Sequence, residues 1–393
     1  MNSDKKTDGV QRKDEQSKPC EKVRMANLEL LRCIAMMMVV VLHYLGKGGL
    51  LGNLRAGNLN TTQLVAWVLE CFCVVAVNVY MLISGYFLST SSVKLSRLLK
   101  LWLQVWVYSV SIGLLAAFTG ILPAEEFDTH YLLSLLFPVS MTHYWFMTAY
   151  VFLYLLLPFV GMAVRKMSKV QLQLALGGLL LVFCVMKSVL PFRLETDNLG
   201  YDCIWYLCVF LTAAYIRRFG IPFLQKKGRC ICLYTVACLA VFVETMCLHQ
   251  IYLRTGSLEL IMKIALEYNH ILPFLASVGL FMTFLMTDVS GVLAKVVNRI
   301  APYTLGVYLL HENLGVRYAW QRWLGAAAVK SVPGLLLGVL LAVAVVFVVG
   351  VAVDFVREMV MKGLYGAARK LSPCRRLMGM IAAVDEKCRI TEK

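Results

Sequence analysis

The chain has 393 residues, 60% of them apolar and only 16% charged, with a net charge of +16 and a mean hydropathy of +0.71. Soluble domains carry roughly 25% charged residues, so composition excludes a soluble core with a single anchor. The positive charge does not imply a nucleic-acid partner, because the bases fall in short loops beside apolar runs, where they set topology and meet membrane lipid.

Residues 1–24 are hydrophilic and basic. They read as a disordered cytoplasmic arm, which leaves the first apolar run to direct insertion. Runs close to the roughly 20 apolar residues that a span needs then recur near 27–46, 64–88, 98–120, 143–164, 170–190, 201–217, 230–250, 268–288, 301–323 and 333–356. Residues 131–139 are apolar but too short to cross, and fit an interfacial or re-entrant piece. The expected fold is all-α: one polytopic bundle of about ten transmembrane helices over 25–362, followed by a basic cytoplasmic tail at 363–393.

Orientation follows from counting Lys and Arg in alternate loops. With the amino terminus inside, the inside segments and tails hold 29 bases and the outside loops nine, with Arg32 left within a helix. The loop at 121–142 has no Lys or Arg and carries Glu125, Glu126 and Asp128. Both termini are therefore expected in the cytoplasm, and the protein in the inner (plasma) membrane. The 13 cysteines are scattered, and the lone Cys230-x-Cys232 pair is no zinc signature, so no metal is expected.

A charge near the bilayer centre costs about 2.5–3.5 kcal/mol on insertion scales and needs a reason. The first helix carries Glu29, Arg32 and His43. Glu29 and Arg32 are three apart and can pair. Arg32 and His43 are eleven apart, so they share a face, separated by roughly 16 Å of rise. Alone, Arg32 could snorkel to the headgroups and His43 could lie at the outer interface. Company at similar depth favours a site: Glu70 and Asn78 on the second helix, and His311 and Glu312 on the ninth. A His beside a carboxylate can act as a general base at neutral pH, or as one stage of a proton relay.

The order of motifs separates these uses. Arg32, ten residues, then His43 resembles the Arg-x10-His signature of the membrane-bound acyltransferase-3 family. AVNVYMLISGYFLS at 76–89 is similar to that family's Ser-Gly-Tyr helix end, here Ser84, Gly85 and Tyr86, and Lys94, Arg97 and Lys100 follow it. HYWFMTAYVFLYLLLPF at 143–159 resembles its Trp…Tyr…Pro segment, and TLGVYLLHEN at 304–313 its late Tyr-Leu-x-His motif, giving Tyr308 and His311. Many members carry a Glu five residues after the Trp, where this chain has Tyr150.

The resemblance implies an O-acyltransferase with acyl-CoA, usually acetyl-CoA, as donor substrate and no tightly bound cofactor. The acceptor would be a hydroxyl of a cell-envelope polysaccharide or lipid-linked sugar. It makes His43 the catalytic base, supported by Arg32, Glu70 and His311. Trp145, Tyr150, Asn78, Tyr86 and Glu312 are the candidate substrate contacts. Lys94, Arg97 and Lys100 are placed to meet the CoA phosphates, although topology alone would also put bases there. Some members continue into an extracytoplasmic domain; the short polar tail here implies that a second transfer step would need a partner protein. The rival reading is a transporter or flippase for a lipid-linked saccharide, with Arg32, Glu70 and His311 as a polar path.

Overall fold

The computed structural model describes residues 24–190 and 198–388. The expectation for the basic arm lies, apart from Arg24, outside the described residues, as does Arg193 of the loop count. The described residues contain helices and no strands. Eight helical stretches are long and apolar enough to cross a bilayer, so the chain is an all-α polytopic membrane protein.

In chain order the helices are α1 (Ala26–Lys47), α2 (Thr61–Cys73), α3 (Ala76–Leu88), α4 (Leu95–Phe118), α5 (Thr129–Leu136) and α6 (Trp145–Lys166). They continue as α7 (Lys169–Leu180), α8 (Lys187–Val189), α9 (Cys203–Phe219), α10 (Lys227–Thr255) and α11 (Ile271–Leu285). The last are α12 (Gly291–Ile300), α13 (Thr304–His311), α14 (Trp320–Trp323), α15 (Val332–Ala368) and α16 (Ser372–Lys387). Helices α2 and α3 form one 28-residue span, Thr61–Leu88. A π-helical stretch, Leu181–Met186, joins α7 to α8. Several starts are written in the sequence as caps: Asn60 and Gln63 form a capping box on α2, Ser168 and Gln171 another on α7, and Asp202 caps α9.

The hub is α1, which packs on α2, α3, α11, α12, α13 and α15. Its neighbours approach closely where glycine allows it. A Cβ on Gly85 would lie 3.1 Å from the Phe210 backbone of α9. One on Gly306 would lie 2.3 Å from the Asp354 side chain, and one on Gly350 would lie 2.7 Å from the Val307 backbone, so α13 and α15 are held together by two small residues. Asp354 is buried and satisfied, accepting from Gln104 at 3.0 Å, Tyr108 at 3.1 Å and Arg357 at 2.6 Å.

One expectation changes. The ninth segment is no continuous helix over 301–323: α13 stops at His311 and the chain turns until α14 begins at Trp320. The cause is Asn313, whose buried carboxamide donates to the Tyr108 carbonyl at 3.1 Å and accepts from the Gly315 amide at 3.0 Å. Arg317 covers the freed Glu312 carbonyl at 2.9 Å, and Trp320 the His311 carbonyl at 3.1 Å. Broken backbone at membrane depth is tolerated where protein satisfies it in this way. Within the basic tail, residues 372–387 form α16, which packs against α4. The apolar piece near 131–139 contains the short helix α5.

Candidate active site

Near its end α1 presents His43 and, one turn on, Lys47. The carboxyl end of α13, which packs on α1, sets His311 and Glu312 against them. His43 Nδ1 lies 2.9 Å from His311 Nε2 and 3.3 Å from Glu312 Oε1. The Lys47 ammonium donates to the same Glu312 oxygen. His311 Nδ1 lies 2.6 Å from the Val307 carbonyl.

These contacts fix the protons. A carbonyl oxygen only accepts, so His311 carries its proton on Nδ1 and its Nε2 accepts. His43 must then donate from Nδ1 toward His311 and Glu312, which leaves the His43 lone pair on Nε2. The ring is held by an acid behind it, the arrangement that prepares a histidine to take a proton from substrate. Glu312 and His311 are buried, whereas the His43 side chain keeps 22% of its surface.

His43 lines a cavity of about 920 Å³, within the range of small-molecule sites. The cavity follows α1 from Arg24 past Glu29, Arg32, Met36 and Val39 to His43. At the Arg24 end stand Arg97 from the start of α4, Arg217 from the end of α9, and Thr90 and Ser91 after α3. At the His43 end stand Trp145, Phe146, Tyr268 and Tyr308. Trp145 stacks on Tyr268 at 5.8 Å between ring centroids and leans on Tyr201 at 4.2 Å. One end is cationic and the other aromatic, with Met36, Val39 and Leu305 among the residues lining the cavity wall.

Of the residues singled out from sequence, His43, Glu29, Arg32, Ser84, Trp145, Tyr150, Arg97 and Tyr308 line this cavity. Arg32 pairs with Glu29 at 3.6 Å. Glu312 and His311 stand behind His43. Asn78 is fully buried outside the cavity wall; it donates to the Tyr268 carbonyl at 2.8 Å and accepts from the Trp205 indole at 2.9 Å, and so holds Tyr268 in place. Tyr86 lies under the Arg217 guanidinium at 4.4 Å. Glu70 is outside the wall, on the side of Lys263. Lys94 and Lys100 are exposed and also outside it. The Lys94 backbone instead exchanges hydrogen bonds of 3.0 Å with the Tyr154 hydroxyl, in both directions.

The sequence reading passed over Lys47, Arg24, Tyr268 and Asn313. Lys47 was findable, being four residues from His43 and hence on its face. Tyr268 and Arg24 enter through tertiary packing, for which a single sequence holds no signal.

The donor atoms of His43, His311 and Glu312 lie within 4.8 Å of one another, a spacing that a divalent cation could use. The Lys47 ammonium already occupies the carboxylate oxygen that such an ion would need, so the cluster is chemically suited to moving a proton.

A family model described as an acyltransferase domain matches residues 25–352. No curated protein and no solved structure matches the chain. The match runs from the start of α1 well into α15 and takes in the His43 cluster and all of the cavity wall except Arg24. On that match the chain belongs to the acyltransferase-3 family and is a membrane acyltransferase.

Proposed function

We propose that this acyltransferase moves a short acyl group, acetyl in the simplest case, from acyl-CoA to a hydroxyl of a cell-envelope polysaccharide or lipid-linked sugar. The observation that carries the reading is the single cavity that joins a cluster of arginines to the His43 base. Acyl-CoA is polyanionic at one end and carries its thioester at the far end of a slender arm. Its nucleotide cannot enter an apolar slab cheaply, whereas the arm can pass between α1, α3 and α13. Arg24, Arg97 and Arg217 would hold the phosphates, and Lys94 and Lys100, standing outside the wall, would contribute only long-range attraction. The cationic end faces the cytoplasm in this reading, in keeping with the loop charges.

At the other end the aromatic wall of Trp145 and Tyr268 offers flat apolar faces with polar rims, suited to a sugar ring. Tyr150 stands deeper in the cavity, at the position where many relatives carry Glu. In the transfer step, His43 Nε2 takes the proton of the acceptor hydroxyl as its oxygen attacks the thioester carbon. The C–S bond breaks, the imidazolium returns the proton to the departing CoA sulfur, and an ester and free CoA result. Glu312 stabilises the transient imidazolium, with Lys47 balancing the carboxylate between turnovers.

The test uses purified protein in proteoliposomes, with acyl-labelled acyl-CoA and candidate glycans. The proposal expects free CoA to appear in step with label on the glycan. Movement of the glycan across the bilayer without CoA release would instead establish the transporter reading.

A further inference from the structure

Helix α15 has 37 residues, about 55 Å of helix at 1.5 Å per residue, against a hydrocarbon layer of about 30 Å. Its apolar run ends where Asp354, Arg357, Glu358 and Lys362 begin, and the remainder stands clear of the span. There its Phe355 packs on the Tyr303 ring at 5.8 Å. Tyr303 directly follows Ala301 and Pro302, which line the cationic end of the cavity. The chain then turns at Arg369–Leu371, and α16 runs back to α4.

The contact that α16 makes is specific. Helix α4 has no side-chain cap of its own, because its N-cap residue is Lys94. Asp385 of α16 supplies one across space: its carboxylate accepts the Ser96 backbone amide at 3.2 Å and the Ser96 hydroxyl through its other oxygen. These donors hold the Asp385 carboxyl below its usual range. Arg97, the next residue, is one of the cavity-lining arginines. All of α16 lies beyond residue 352, where the family match ends.

We propose that α16 is a positioning clamp for the donor entrance, in which Asp385 caps α4 and so fixes the backbone that presents Arg97 to the donor phosphates. The proposal rests on the reading above that Arg97 meets the donor. Asp385 is then a positioning residue, and the sign of its effect separates this role from simple charge. An anion beside a polyanion's binding site repels it, so on charge alone its removal would tighten donor binding. As a clamp its removal loosens binding.

The experiment measures steady-state kinetics of the full chain in membranes for Asp385→Ala, Asp385→Asn, Arg97→Ala and the double Asp385→Ala/Arg97→Ala. Loss of a helix cap is about a 2- to 30-fold effect, typically about fivefold, so Asp385→Ala should raise the KM for acyl-CoA about fivefold, with kcat and the acceptor KM unchanged. Asp385→Asn, which keeps an accepting oxygen, should recover most of the loss. The double variant should be no worse than Arg97→Ala alone, since both act through one side chain. An acyl-CoA KM that falls or stays level in Asp385→Ala, while Arg97→Ala raises it, overturns the clamp. If Arg97→Ala itself leaves KM unchanged, the donor reading fails, and amide exchange at Ser96 decides the clamp separately: faster exchange in Asp385→Ala supports it and unchanged protection overturns it.

Discussion

His43 is exposed to the cavity on one side and held on the other, and its chemistry depends on both. In the proposed transfer Glu312 aligns the ring and balances the imidazolium, so Glu312→Gln should keep the shape and lose most of that assistance. We expect transfer to fall by roughly 10- to 1,000-fold, with acyl-CoA affinity little changed, in the manner of other base-orienting carboxylates. Single-turnover transfer with pre-bound donor measures this directly, and a Glu312→Gln protein of normal rate would remove the carboxylate from the mechanism. At the cationic end, Arg217→Ala should raise the KM for acyl-CoA more than that for the glycan. The difference should shrink as salt is added, since contacts near water are screened within about 10 Å at 0.1 M. An unchanged donor KM at low salt would place the phosphates elsewhere.

At the scale of elements, the interrupted ninth segment does the most for the site. His311 and Glu312 sit at the carboxyl end of α13 beside His43, and the turn at Asn313 lets Arg317 and Trp320 cover the carbonyls left free there. Asn313→Ala should leave the Gly315 amide without its partner, at a cost of about 1–3 kcal/mol, and should lower the unfolding temperature in detergent as well as activity. Gly306→Ala should destabilise by about 1–3 kcal/mol through overpacking on Asp354; unfolding at the wild-type temperature would contradict the close α13–α15 contact. The sequence shows this region only in part. Hydropathy marks 301–323 as apolar, and the Tyr308–His311 motif marks its importance, but the break is set by Asn313 finding Tyr108 of α4 and Tyr144, just before α6. Spans with a continuous apolar run, such as α1, α6 and α15, are legible because the bilayer leaves helix as the one answer for them. The basic loop after α3 shows the opposite limit: three bases in seven residues look equivalent in sequence, yet only Arg97 reaches the cavity wall. Helix α16 is hidden for a related reason, since its polar composition reads as a tail until Asp385 is seen on Ser96.

For the whole molecule, the account is of one bundle whose cavity runs along α1 from a cationic mouth to an aromatic chamber. The charge of the loops predicts its orientation. Reporter fusions after residues 125 and 260 should report outside, and fusions after 167, 225 and the carboxyl end should report inside; a carboxyl end found outside would detach the cationic mouth from the cytoplasmic supply of acyl-CoA. The claim on which everything else depends is that His43 performs the proton transfer at the meeting of donor and acceptor. It is tested most directly by the transfer rate of purified His43→Ala, matched to wild type for insertion and unfolding temperature and supplied with saturating acyl-CoA and glycan. The account predicts a rate about 100- to 10,000-fold below wild type with acyl-CoA binding retained, and a folded His43→Ala protein transferring at the wild-type rate would contradict it.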